Sequence, residues 1–421
     1  MKRIVILNLL FVSSLAIFAQ EKSDFGINFS GFVKSDFFFD SRQTVAAREG
    51  HFLLWPSPEA PDELGNDINA KANFNFLAVQ SRLKGTISGP DAFGAKTSGV
   101  IEGDFFAQAN DNINLLRLRH AFVKLNWTNL EVLAGQYWNP LFVTDCFPGT
   151  VSFNTGTPLQ SFSRNPQLRI TYNTGSFKLT AAALSQRDYA SYGEGGASSS
   201  YLRNSAMPDM HIQLQYGSKN DNTGTNFILG SGIAYKSIVP RLENNTGFPL
   251  YQVYKVDEKV NGITAIGFSK ITTQPVTIKL EARYGENISD VLAISGFAVK
   301  EVADPLTGKL DYTPLKSMTF WGEIHTNGTV QFGIFGGFLK NLGTKHPMAN
   351  TGNSVYGLTT GISTLLRISP RVIVNSGKTR IAFELEYTSA AYGDDYNLNY
   401  IPSNTTKVTN LRALIGVYYF F

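Results

Sequence analysis

The sequence predicts an all-β fold: a single transmembrane antiparallel β-barrel of about sixteen strands, with short periplasmic turns and long extracellular loops. Three observations predict it. Apolar and polar residues alternate along segment after segment. Short turn sequences and long polar stretches follow one another in strict order. The chain ends on a bare aromatic stretch, LRALIGVYYFF (411–421), which a closed barrel can use and a soluble domain would have to hide.

Residues 1–19, MKRIVILNLLFVSSLAIFA, start with Lys2 and Arg3, run apolar from Ile4 to Phe18 and end at Ala19. This is the pattern of a secretory signal peptide cut before Gln20. The apolar run is short for a membrane span, and a polar segment follows at once. The mature chain, 20–421, then forms one barrel domain. No later apolar run reaches the ~18 residues of a transmembrane helix. A net charge of +4 over 421 residues is no nucleic-acid footprint. The one cysteine, Cys146, excludes an internal disulfide framework and a multi-cysteine metal site.

The strands declare themselves by parity. In 27–40, Ile27, Phe29, Val33, Phe37 and Phe39 share one face, and Asn28, Ser30, Lys34, Asp36 and Asp40 the other. In 276–284, Val276, Ile278, Leu280, Ala282 and Tyr284 oppose Thr277, Lys279, Glu281 and Arg283. In 380–388, Ile381, Phe383, Leu385 and Tyr387 oppose Arg380, Ala382, Glu384, Glu386 and Thr388. In the tail, Ala413, Ile415, Val417, Tyr419 and Phe421 lie opposite Arg412. Arg or Lys facing lipid near the midplane costs roughly 2–4 kcal/mol, so the charged parity faces the lumen.

The connections separate a barrel from a sandwich. Short ones fall at 89–94, 126–129, 173–176, 217–226, 272–275, 326–329 and 375–378. Long ones fall at 41–70, 107–115, 139–163, 187–208, 236–259, 287–314, 341–355 and 393–407. A sandwich has no reason to keep all its long loops at one end. A barrel also has no edge, so the last strand pairs with the first. Phe421 and Trp127 then sit in the periplasmic aromatic girdle.

The inward cations include Lys34, Arg82, Lys84, Arg117, Arg119 and Arg169, with Glu102 and Asp104 between them on the third strand. Such a wall sets ion preference, and the planar fork of arginine suits carboxylates. The plainer reading is that these charges pair with one another and stiffen the wall. The segment 139–163 is long, apolar and carries one charge, Asp145. It reads as a constriction loop folded into the lumen, or else as an external cap or oligomer contact, with Cys146 a buried, inert thiol.

Several of these stretches resemble one family. GFVKSD (31–36), QSRLKG (80–85), EGDFF (102–106), RLRHAF (117–122) and LAGQYW (133–138) are similar to the DcaP-like porins, with looser matches at SPRVIV (369–374) and ELEYT (384–388). The resemblance covers mainly the first 170 residues. It implies a sixteen-stranded outer-membrane channel of a Gram-negative bacterium, associated with dicarboxylates and other small anions and assembled as a homotrimer. It also implies a pore-lining role for Arg82, Arg117 and Arg119. Family members carry a helical periplasmic extension, for which Gln20 to Asp24 leave no room here.

The expected function is passive diffusion of small hydrophilic solutes, biased toward anions. The partners are outer-membrane lipid and the solutes, and no cofactor or metal is implied. One alternative is a structural or adhesive barrel with a plugged lumen. Another is an outer-membrane acyl hydrolase, for which His120 shares parity with Leu118 and Phe122 and would face lipid. The sequence contains no G-x-S-x-G and no H-E-x-x-H.

Overall fold

Inside a membrane a backbone N–H or C=O finds no water, so every strand must be paired on both edges. The computed structural model, which describes residues 25–107, 110–245 and 252–421, meets this demand by closing a ring. The segment read as a signal peptide, 1–19, lies outside the described residues.

Sixteen described strands form the ring. They are β1 (Gly26–Asp40), β2 (Asn73–Leu77, resuming at Arg82–Ser88), β3 (Lys96–Asp104), β4 (Arg117–Asn126), β5 (Leu130–Trp138), β6 (Arg164–Thr174), β7 (Phe177–Leu184) and β8 (Asp209–Asn220). They continue as β9 (Thr225–Ile238), β10 (Val260–Thr272), β11 (Val276–Glu286), β12 (Lys309–Thr326), β13 (Val330–Thr344), β14 (Ile362–Ser376), β15 (Thr379–Tyr396) and β16 (Pro402–Phe420). Each is antiparallel to the next, and β16 returns to β1 from Phe32↔Phe420 to Asp40↔Arg412. The aromatic tail is therefore the closing strand, and its backbone is paired on both sides by β15 and β1.

Parity separates the two media. Phe29, Phe37, Leu385 and Ile415 are exposed on the outer surface. Lys34, Asp36, Glu386 and Arg412, on the alternate positions, are at most 1 % exposed and point inward. The connections alternate in length around the ring, with tight turns at one end, including 127–129, 175–176 and 377–378. Trp127 ties two of these turns together by donating its indole N–H to the Phe93 carbonyl at 3.0 Å.

Three expectations are corrected. The segment 393–407 reads as a loop but is mostly strand, because β15 and β16 stay paired to Tyr396↔Pro402 and leave only 397–401 as the tip. Its run of Asn and Thr is polar on both faces because this part of the sheet stands above the lipid. The segment 287–314 likewise contains a strand, Gly296–Asp304, which pairs with the outer end of β12.

The third correction concerns parity. Pairing of β3 with β4 passes from Glu102↔His120 to Gly103↔Leu118, so Arg119 is an extra residue. A β-bulge of this kind turns two successive side chains to one side and reverses the alternation beyond it. Arg119 and His120 are both buried inside, and Val123 takes the outward face. His120 and Phe122 are thus not on the lipid side with Leu118. The neighbouring β5 accommodates the bulge at Gly135, whose φ is +134° and whose hypothetical Cβ would lie 2.2 Å from the Ala121 carbonyl oxygen.

The barrel predicts its own mutational asymmetry. Leu385→Arg, in the middle of the outer band of β15, should destabilise by roughly 2–4 kcal/mol, and Ile381→Arg, near the turn end, by no more than about 1 kcal/mol. Urea titration of the barrel refolded into lipid vesicles measures both.

Candidate functional site

The lumen is the one place where this fold gathers polar chemistry. Two loops enter it. L3 (139–163) crosses the interior along the wall formed by β11–β16. Its backbone amides and carbonyls leave water, so each needs a partner, either within the loop, as the Cys146 N–H finds the Val143 carbonyl, or on that wall. Glu384 accepts the N–H groups of Val151 and Ser152 at 2.6 and 3.1 Å. Glu323 accepts the Gly149 N–H and is itself paired with Lys279 at 3.0 Å and Arg371 at 3.2 Å. Lys279 also donates to the Phe147 carbonyl, and Arg283 to the Pro158 carbonyl and the Ser161 hydroxyl. Charged groups make the strongest of such bonds, so this wall grips the loop firmly.

L1 (41–72), read from the sequence as an external loop, also turns inward. Its hairpin, Thr44–Ala47 with Phe52–Pro56, buries Phe52, Leu53, Leu54 and Trp55. His51 Nε2 meets Asp36 Oδ2 at 2.7 Å, and Arg412 pairs with Asp40 while donating to the Gly50 carbonyl. Burial holds the His51 imidazole below its ordinary pKa. Phe52 of L1 and Phe153 and Phe162 of L3 share an apolar core with Trp321, Phe335, Leu339 and Leu365 of the wall. On this side the lumen is filled.

The opposite wall, β2–β8, stays open. A cavity of about 370 Å³ lies between it and L3, lined by Arg82, Lys84, Glu102, Arg119 and His120 and by the rings of Phe122, Tyr137, Trp138 and Phe142. A second, of about 300 Å³, shares Tyr137, Phe142 and Thr144 with the first and adds Lys124, Glu131, Asp145, Arg169 and Lys178. The first sets three cations against one carboxylate, the second three against two.

The cations expected from the sequence divide into two groups. Arg117 donates to Asp104 at 2.8 Å, and Arg119 to Glu102 at 2.7 Å and Asp104 at 3.0 Å; both arginines are buried. Arg82 stands 3.7 Å from each of those carboxylates. Lys34 is sealed against Asp36, Gln80 and the Val151 carbonyl of L3. These groups build the wall. Lys84 makes no ion pair among the described residues, and Arg169 is bonded only to the Gln167 side chain and the Trp138 carbonyl. Both are half-buried in the chambers. Asp145 pairs with Lys178 at the edge of the second chamber; burial opposes its charge, and Lys178 holds its pKa below the usual carboxylate value.

The sequence reading missed Arg367 and Arg371 of β14, although both share the inward parity with Leu365 and Ser369 and were legible by the rule that found the others. It also missed Arg164, which pairs with Asp188 of the 185–208 loop at 2.6 Å. Burial raises the Asp188 pKa, but Arg164 and Arg117 outweigh it and hold it low. No pattern in the sequence points to that pair, because the two residues meet only once the 185–208 loop has folded back over the start of β6.

No protein-family model matches the chain, and no curated protein sequence matches it. Solved structures match its fold. The outer membrane channel DcaP of Acinetobacter baumannii is similar at a TM-score of 0.64 and 15 % identity, over 95 % of this chain and 98 % of that one. The anion-selective porin from Comamonas acidovorans is similar at 0.53 and 10 %, over 94 % and 100 %. OmpT of Vibrio cholerae, described in a trimer form, is similar at 0.52 and 10 %, over 95 % and 100 %. The chain therefore has the fold of an outer-membrane barrel, as the resemblance in its first third implied.

Cys146 reports on the seating of L3. It is fully buried, with its thiol directed at the Ser269 carbonyl, and burial with the nearby Glu281 charge pushes its pKa up to about 12. The thiolate is the reactive form. Maleimide labelling of the folded barrel at pH 8 should be far slower than that of a free cysteine and should reach completion in denaturant.

Proposed function

We propose that this protein is a porin of the Gram-negative outer membrane. It lets small hydrophilic solutes diffuse passively, with a bias toward anions such as dicarboxylates, and it works as a homotrimer. One observation carries the reading: the open half of the lumen keeps two cations, Lys84 and Arg169, that make no ion pair among the described residues, beside L3. The fold shared with an anion-selective porin and with a trimeric outer membrane protein supports it.

The path runs off-centre. L3 is drawn onto the β11–β16 wall and narrows the passage to the side lined by β2–β8. A solute carboxylate meets Lys84 in one chamber and Arg169 in the next, past the shared rings of Tyr137 and Phe142. Each contact is a single half-buried cation facing a chamber, strong enough to favour an anion and weak enough to release it. The concentration gradient supplies the drive. No bond is made or broken and no cofactor takes part.

The apolar core inside the barrel favours a second reading, a structural or adhesive barrel whose lumen is plugged. Planar-bilayer recording under a KCl gradient, with and without succinate, separates the two. A porin gives stable steps, an anion-shifted reversal potential and a conductance reduced by succinate. A plugged barrel gives no steps.

Within the porin reading, the two groups of cations should respond differently. Lys84→Gln with Arg169→Gln should move the reversal potential toward zero and leave stability unchanged. Arg119→Ser takes the nearest cation from Glu102 and leaves Asp104 to Arg117 and the more distant Arg82; it should cost about 3–5 kcal/mol, read by urea unfolding in vesicles.

A further inference from the structure

We infer that Arg367 is the positioning residue that holds L1 and L3 together as one gate. Arg367 lies on β14 and is completely buried. Its Nη1 donates to the Thr157 carbonyl of L3 at 2.6 Å, and its Nη2 to the Leu54 carbonyl of L1 at 2.5 Å. Its Nε donates to the Thr388 hydroxyl of β15 at 3.0 Å and lies 3.3 Å from a Glu386 oxygen. Glu386 in turn accepts the Asn154 side chain of L3 at 2.8 Å. One guanidinium thus spans two loops and the barrel wall.

The chemistry requires arginine. Two carbonyls about a hundred residues apart in sequence are bonded at the same time by two nitrogens in one rigid plane, while a third nitrogen fixes that plane to β15. Lysine offers a single nitrogen on a flexible stem and cannot reproduce the fork. Neither Leu54 nor Thr157 has another backbone or side-chain partner for its carbonyl among the described hydrogen bonds, so both would be orphaned in a buried site.

The other anchors act on one loop each. Arg412 holds L1 through Gly50, and Arg283 holds L3 through Pro158 and Ser161. Arg367 alone among these reaches both. The rings of Phe52 and Phe153, 5.2 Å apart, lie along the same seam. Release at Arg367 therefore loosens L1 around Leu54 and L3 around Thr157 together, and the width of the passage depends on both. That last step rests on the porin reading; the mechanical coupling does not.

The test is hydrogen exchange of the whole barrel in detergent, compared between the parent protein, Arg367→Lys and the charge-neutral pair Arg367→Met with Glu386→Gln. Heat-modifiable migration on gels confirms that each is folded. The expected result is parallel loss of protection in 50–56 and 153–163, by about tenfold or more, the scale of one lost charge-assisted hydrogen bond. Protection across β14 and β15 should stay unchanged, and single-channel steps should grow. Loss in one loop only, or in neither, overturns the coupling. Loss spread through β14 and β15 overturns it too, because Arg367 would then be a support of the wall. If the parent conducts nothing, the porin reading fails, while the exchange pattern still decides the latch.

Discussion

The pairing of β16 with β1 is the constraint on which the rest depends. Until Phe32–Asp40 lies against Arg412–Phe420, two strand edges hang in a medium that cannot hydrogen-bond them. Closure removes both edges and creates an inside. From then on every second residue of each strand faces lipid and must be apolar. The charged residues have nowhere to go but inward.

An interior packed with charge raises a second problem, which the barrel solves differently on its two sides. A buried charge without a partner is far more costly than a pair. On β3 and β4 the partners are neighbours in the wall: Asp104 and Glu102 serve Arg117 and Arg119. On β11–β16 many of the partners are main-chain groups of L3, whose own polar side chains are uncharged except for Asp145. The charges therefore hold the loop, and the loop satisfies the charges. Asp145 is its single ionised residue, and it sits at the far edge by Lys178.

This division makes the lumen lopsided. The rings of L1 and L3 complete a small apolar core against inward-facing Trp321 and Phe335, positions where a water-lined wall would not carry such residues. The free space is displaced to β2–β8, where Lys178 holds Asp145, Gln213 the Pro140 carbonyl and Asn165 the Asn139 side chain of L3. The open chambers and most of the loop anchors thus lie on opposite walls.

The sixteen membrane-crossing strands, the closure and, outside β4, the inward parity were legible in the sequence, whereas the strand pairing that continues into 393–407 and 287–314 was not. Lipid enforces a period of two so strictly that a single chain displays it without any knowledge of its neighbours. Arg82, Lys84 and Arg169 could be placed on the lumen wall for the same reason. The bulge at Arg119 was not read: the polar parity shifts from Arg117 and Arg119 to Lys124, but only the register against β3 fixes which residue is the extra one. Nor was the entry of L1, since FLLWP is as apolar as a strand and nothing local says what it packs against. Above all, parity tells which charges face inward but not which of them are paired. Tertiary structure decided that, because the partner of a charge such as Arg367 is a carbonyl that lies hundreds of residues away along the chain and meets it only when the barrel has closed around both loops.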